Sequence, residues 1–361
     1  MSATLSMSPS RQAGRSRTAA RRARAAGLAA LLGIGAAAAG TAPPAAGPSA
    51  ALTRSPTPAS ASAAPDGKAL PKVAVRAPAP QYVAPTLRDQ IGRIWAPVYL
   101  NGKGPFRLVL DTGATESVVT AGVAKELGIA LDHAAPVLLH GVTGTAVVPT
   151  IRVDTLRIGD LQRDNQTLPI VPDALGGADG VLGTEGLLGK RIFIDFRDDR
   201  ITIRRSFERR APIGYVTIPL EIVQRHLLTT NARVGTIPVT AIIDTGSETS
   251  IANLALRQAL LKQRSSYRFS KDQIVDTTDA VAPGKGTAVP PIFLGAIAIY
   301  GSHITTGDLH IFDVWHLTKK PAILIGMDAL GMVNVLIIDY RMQELQILTR
   351  SSGFDPPLFS Q

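Results

Sequence analysis

The sequence predicts an all-β protein of two related β-barrel-like lobes, each carrying one or two short helices. Three observations carry that prediction. Short apolar runs bounded by turn residues outnumber helical patterns. Turn signals recur roughly every ten residues, the spacing of short strands in sandwiches and barrels. The chain also writes one segment twice: Asp111-Thr112-Gly113-Ala114 returns as Asp244-Thr245-Gly246-Ser247.

The repeat extends on both sides of the tetrapeptide. Gly102-Lys103-Gly104-Pro105 and Gly235-Thr236-Ile237-Pro238 begin nine residues before their aspartates and read as turns. Between turn and aspartate lie Phe106-Arg107-Leu108-Val109-Leu110 and Val239-Thr240-Ala241-Ile242-Ile243, each short enough to be a buried strand. A serine follows six residues after each aspartate, as Ser117-Val118 and Ser250-Ile251, and then a helical stretch. Later, Asp179-Gly180-Val181-Leu182-Gly183 answers to Ala322-Ile323-Leu324-Ile325-Gly326, and Ile194-Asp195-Phe196-Arg197 to Ile338-Asp339-Tyr340-Arg341. The offset between copies is 133 at the aspartates and 144 at the last landmark, so the second copy holds eleven extra residues, expected in a loop.

Taken in order, the chain starts with Arg11, Arg15, Arg17, Arg21, Arg22 and Arg24 and no acid before residue 40. These six charges account for more than half of the formal +10, so the remainder gives no reason to expect a polyanion partner. An uncharged run, Ala25 to Ala39, follows, and residues 1–40 read as a signal peptide. The run is shorter than the roughly 20 apolar residues of a membrane-spanning helix. The expected location is periplasmic or secreted, with an uncleaved N-terminal anchor as the alternative.

Residues 41–85, rich in Ala, Pro and Ser, read as a disordered tether. Residues 86–205 form the first lobe, opening on the alternating run Ile94 to Leu100. Its helix, Ala121 to Leu127, is stopped at Gly128. A glycine-rich turn, His140 to Thr145, marks a hairpin tip. Residues 206–219 are a linker, and the basic stretch around its start, Arg204-Arg205 and Arg209-Arg210, reads as a solvated segment, without the interleaved aromatics of a nucleic-acid surface. Residues 220–350 form the second lobe, with a helix over Ala255 to Leu261 and a hairpin tip expected at Pro283-Gly284-Lys285-Gly286-Thr287. Residues 351–361 are a tail. With no cysteine, the chain has no disulfide, thiol nucleophile or thiol lipid attachment.

The doubled hydrophobic-Asp-Thr-Gly-[Ala/Ser] motif and the apolar-Gly ending each copy resemble the aspartic peptidases, over residues 94–349. The resemblance is to retropepsin-like and pepsin-like members, here as two tandem lobes in one chain. It implies the bilobal acid-protease fold, an exported aspartic endopeptidase acting on a polypeptide substrate, and a monomer that is an intramolecular pseudodimer. It further implies no cofactor, no metal, no nucleic-acid partner and no stable membrane insertion after signal cleavage. Asp111 and Asp244 would be catalytic. Thr112, Gly113, Thr245, Gly246 and Ser247 would support the active-site loops, the threonines tying one loop to the other. The rival expectation is a non-catalytic peptide-binding protein using the same fold and cleft.

The chemistry follows from carboxyl groups. Two of them about 3 Å apart cannot both ionise, so the pair shares a proton and supplies an acid and a base together. The hydroxyl of Ser247 is expected to donate to Asp244, where Ala114 offers Asp111 nothing, so that Asp244 holds its charge more readily. His303, His310 and His316, with Asp308 and Asp313, lack a compact ligand spacing and read as surface residues on strands rather than a metal site. Asp195 and Asp339 read as turn residues.

Overall fold

The structure, a computed structural model, describes residues 93–349 except 132–134, 160, 174, 209, 225–226 and 279, together with the backbone of short strands at Leu28–Ala29, Gly33–Gly35 and Tyr82–Pro85. Apart from those strands, the expected signal segment, tether and tail lie outside the described residues, as does Arg209 of the linker. The fold is all-β, as the sequence predicts.

The first half is a closed six-stranded barrel in the order Leu161–Val171, Val118–Thr120, Gly180–Leu182, Lys103–Leu110, Trp95–Leu100 and Thr150–Ile158. Alternation does what the sequence predicts: along Trp95–Leu100 every second residue is buried, sending Ala96, Val98 and Leu100 into the core. The ring closes because Leu161–Val171 is long enough to pair with Thr150–Ile158 along its length and with Val118–Thr120 at its end. In the second half the comparable region is broken between Ile297–Ile299 and His303–Thr306 around Gly301, which takes φ 71°. That sheet stays open.

What the halves share is the arrangement that presents the aspartates. Gly180–Leu182 lies parallel to Lys103–Leu110, and Ala322–Ile325 parallel to Ile237–Ile243. The Asp111 amide donates to the Leu182 carbonyl at 3.0 Å and the Asp244 amide to that of Ile325 at 3.1 Å. Each aspartate therefore leaves its strand at one registered point. Gly180 permits the crossing: a Cβ there would come within 2.2 Å of the Val118 carbonyl oxygen.

A third, six-stranded sheet joins the halves, in the order Val216–Pro219, Glu344–Leu348, Val335–Asp339, Lys190–Asp195, Arg200–Arg205 and Tyr82–Pro85. At its centre Phe193 pairs with Ile337, residues 144 apart and so equivalent in the repeat. Equivalent residues that meet each other mark a pseudo-two-fold axis. The end of the expected linker is a strand of this sheet, Val216–Pro219.

The first helix is Ala121–Leu127, capped by Gly128 at φ 76° as the sequence indicates. Among the described residues the second half has three: Leu254–Gln263, with Asn253 accepting from the Leu256 amide, and the single turns His310–Val314 and Met327–Leu330. Where Met327–Leu330 coils, the first half makes a β-turn instead, the Leu187 amide donating to the Thr184 carbonyl at 3.0 Å with Gly186 at φ 84°. Much of the extra length is not plain loop, because residues 307–321, containing the His310–Val314 turn, stand where the first half uses residues 172–179. The glycine-rich Pro283–Thr287 is not a hairpin tip. It lies inside the strand Val281–Ala288, and the tip falls after Asp276. The glycines answer to crowding: a Cβ on Gly284 would meet Thr305 Cγ2 at 2.6 Å, and one on Gly286 would meet His303 Cε1 at 2.7 Å. Among the described residues no helix is long and apolar enough to cross a membrane.

Candidate active site

The two Asp-Thr-Gly loops meet at the pseudo-two-fold axis. The Thr112 hydroxyl donates to the Ile243 carbonyl at 2.7 Å, and the Thr245 hydroxyl to the Leu110 carbonyl at 2.7 Å. Each hydroxyl oxygen also accepts from the other threonine's amide, at 3.2 Å and 3.1 Å. Four buried bonds thus lock each loop to the strand carrying the other. All the residues expected to act here, Asp111, Thr112, Gly113, Asp244, Thr245, Gly246 and Ser247, come together.

Each carboxyl is held from one side by its own loop. Asp111 Oδ1 accepts from the amides of Gly113 at 2.7 Å and Ala114 at 3.0 Å; Asp244 Oδ1 accepts from Gly246 at 2.8 Å and Ser247 at 3.2 Å. Gly246 lies against the opposing carboxyl, where a Cβ would come within 2.1 Å of Asp111 Cγ. Both aspartates are fully buried, and neither Oδ2 has a protein donor among the described residues. Two carboxylates offer each other only acceptors; a proton between them turns the contact into a hydrogen bond.

Burial first, then the charge of Asp244, raises the Asp111 carboxyl well above the usual carboxylate range. Asp244 is pushed up to about 6, again by burial, and is held there by the hydrogen bond from Asp111, the Gly246 and Ser247 amides and the charge of Arg93. The two carboxyls titrate as one coupled pair that keeps a proton between them, and the Ser247 hydroxyl does not take the part expected of it. The Ser247 hydroxyl donates to the Thr249 carbonyl at 2.9 Å and leaves Asp244 to backbone amides. Ala114 does contribute, through its amide.

Sequence reasoning missed a second tier of acids behind the loops. Ser117 donates its amide (2.9 Å) and its hydroxyl to Glu185 Oε1, while its oxygen accepts from the Gly183 amide at 3.0 Å. In the second half the Ser250 hydroxyl donates to Asp328 at 2.8 Å and accepts from the Gly326 amide at 3.2 Å. The signal was present as an acid two residues after each late glycine, in Gly183-Thr184-Glu185 and Gly326-Met327-Asp328. Arg93, fully buried and donating to the Leu175 carbonyl at 2.8 Å, was also missed. A lone arginine before the first strand carries no repeat signal.

Burial pushes Glu185 up to about 7 from its ordinary 4.5. The folded state then holds a proton that the unfolded chain has released, so this group's contribution to stability falls as pH rises from 4.5 through 7. Glu185→Gln, which keeps an acceptor for Ser117, is expected to unfold like wild type near pH 4.5 and to be more stable by about 3 kcal/mol above pH 8. Denaturant melts of the two proteins at both pH values check this.

Histidine placement differs from expectation. His303 and His316 are exposed, but His310 lies on a helical turn and its ring stacks on His140, centroids 5.5 Å apart. Burial, then the nearby His310, lowers the pKa of His140. Among the described residues no three His, Cys, Asp or Glu side chains are grouped as metal ligands.

Residues 96–189 match the model of a family described as aspartyl protease. No curated protein matches the chain. Among solved structures, basic 7S globulin from soybean is 12% identical with a TM-score of 0.43, the alignment covering 78% of this chain and all of that one. A retropepsin-like aspartic protease from Rickettsia conorii is 20% identical with a TM-score of 0.26, covering 36% of this chain and 97% of that one. The family match, which spans the first Asp-Thr-Gly loop and the late glycine Gly183, supports an aspartic peptidase family for this chain.

Proposed function

We propose that the protein is an exported aspartic endopeptidase that hydrolyses peptide bonds with a water molecule activated between Asp111 and Asp244. The observation that carries this reading is the pair itself: two fully buried carboxyls, each fixed at Oδ1 by two amides and left with an Oδ2 that has no protein donor among the described residues. One carboxylate of the pair takes a proton from water as the oxygen attacks the carbonyl carbon. The other carboxyl gives its proton to the carbonyl oxygen. The resulting diol collapses when the nitrogen receives the proton taken from water, a diol hydroxyl gives its own proton to the remaining carboxylate and the C–N bond breaks, which leaves the pair with one proton again.

Export rests on the arginine-rich start and the uncharged run Ala25 to Ala39. A single chain supplies both carboxyls, so the working unit is a monomer. One observation favours the rival reading of peptide binding without turnover: neither carboxyl is exposed. Incubating the protein with an unfolded polypeptide from about pH 3 to about pH 7 and counting new amino termini separates the readings. Cleavage by wild type and none by Asp111→Asn is expected; cleavage unaffected by that substitution sinks the proposal.

A further inference from the structure

A groove of about 360 Å³ opens in the second half between the strand Ile297–Ile299 and the residues around and after the turn Met327–Leu330. No charged side chain lines it. Its buried lining includes Leu336 and Ile347, paired on neighbouring strands of the joining sheet, and Tyr300 and Met332, both exposed, stand at its rim. Ile297–Ile299 pairs with Ile292–Leu294 on one side and, among the described residues, with no strand on the other. The first half closes the equivalent place with its own side chains. Arg163 is the third residue of its strand, as Ile299 is of its own, and it lies against Gly186, where a Cβ would come within 3.0 Å of its Cδ.

Two observations point to what covers the groove. Thr349, the last described residue, is itself part of the lining. The repeat then gives the direction taken beyond it. Arg191 pairs with Arg204 as Val335 pairs with Leu348, 144 residues further on, and after Arg205 the Ser206 amide donates to the Gly189 carbonyl at 2.9 Å. At the same offset the partners are the amide of residue 350 and the carbonyl of Val333, which lines the groove. The twelve residues after Thr349 hold three large apolar side chains, Phe354, Leu358 and Phe359. Pro356-Pro357 between them restricts the backbone and lowers the entropy lost on ordering. Phe354, five residues past Thr349, has a reach of about 17 Å from it. We propose that this stretch folds back into the groove of its own chain, with Phe354 inside and Leu358 and Phe359 over Tyr300 and Met332. A second copy's stretch competes poorly, since a segment tethered at the mouth acts at an effective concentration of the order of millimolar.

Hydrogen exchange of the full chain, run beside a free peptide of residues 350–361, tests the site without reference to turnover. In wild type the amides of Phe354, Asp355, Leu358 and Phe359 are expected to exchange about tenfold or more slowly than in the peptide. Ala298→Asp, which places a charge in the lining, should return them to within about twofold of the peptide's rates. Phe354→Ser should speed exchange at residues 297–300 and 330–333 by about tenfold or more, the local opening that follows loss of one buried aromatic side chain, while the first-half barrel keeps its wild-type rates. Phe207→Ser, at a half-exposed aromatic outside the groove, should change none of these rates. Amides after Thr349 that exchange in wild type as fast as in the peptide overturn the proposal, and so does acceleration by Phe354→Ser spread evenly over both halves. Protection that disappears on dilution together with a dimer's mass puts a second copy's stretch in the groove and overturns the fold-back.

Discussion

Asp111→Asn is expected to lose peptidase activity by about a thousandfold or more while gaining stability at neutral pH. The first half of that statement follows from general acid–base catalysis, where one positioned proton-transfer group contributes roughly 10²–10⁴ in rate; losing one carboxyl removes both the shared proton and the charge that holds it. The second half follows from linkage. Burial lifts the Asp111 carboxyl well above its ordinary value, so the folded state binds a proton that the unfolded chain gives up, and folding becomes less favourable as pH rises through that interval. An amide has no such proton to hold. It can still accept from the Gly113 and Ala114 amides through its oxygen. Asp244→Asn should behave alike, because burial raises its carboxyl too, to about 6. The same value predicts that kcat/KM of the wild type falls on the acid side near pH 6, where Asp244 takes up its proton. A variant both inactive and less stable would point to a collapsed loop instead. Parallel denaturant melts and rate measurements at pH 7 decide between these outcomes.

The features legible in the sequence were those that the repeat writes twice. Asp111 and Asp244, their strands, the threonines between them and the late glycines all stand at matched positions because the same backbone crossing is built twice. Interactions made once across the halves left no such trace. The Asp276 contact with Thr143 joins two residues that no local pattern links, and the stacked His140 and His310 lie 170 residues apart. Local chemistry also misled. Pro283-Gly284-Lys285-Gly286 has turn composition, yet its glycines relieve crowding against a neighbouring strand. Ser247 carries a hydroxyl beside Asp244, yet the turn it begins offers the Thr249 carbonyl in better position. Glu185 and Asp328 lay within reach of sequence reasoning, but an acid following a glycine is too common to stand out before the serines facing them are known.

Arg191→Met is expected to destabilise the protein by about 3–5 kcal/mol, the cost of leaving a buried charge without its partner. Arg191 of the first half and Asp339 of the second are paired residues in the sheet that joins the halves. Their side chains form an ion pair at 3.0 Å, with only 7% and 0% of their surfaces exposed. The guanidinium also donates to Gln346 Oε1 at 2.6 Å, and the Ser206 hydroxyl donates to the same Asp339 oxygen at 2.8 Å. The other Asp339 oxygen accepts from the amides of Arg341 and Met342, the turn role its place in the repeat suggested. Its counterpart Asp195 also caps a turn but pairs with Arg197, whose side chain is 54% exposed, and that pair should contribute far less. Because desolvation offsets much of a buried pair's attraction, removing both charges should cost less than removing one. Arg191→Met combined with Asp339→Asn is therefore expected to be more stable than Arg191→Met alone, with the difference read as a coupling energy from denaturant melts of the four proteins in the cycle. Strict additivity would mean that the two side chains do not act on each other. The pair spans the halves, and the axis that runs through this sheet is the one at which the aspartates meet. Weakening it should therefore lower activity as well as stability, in a variant whose active-site loops are untouched.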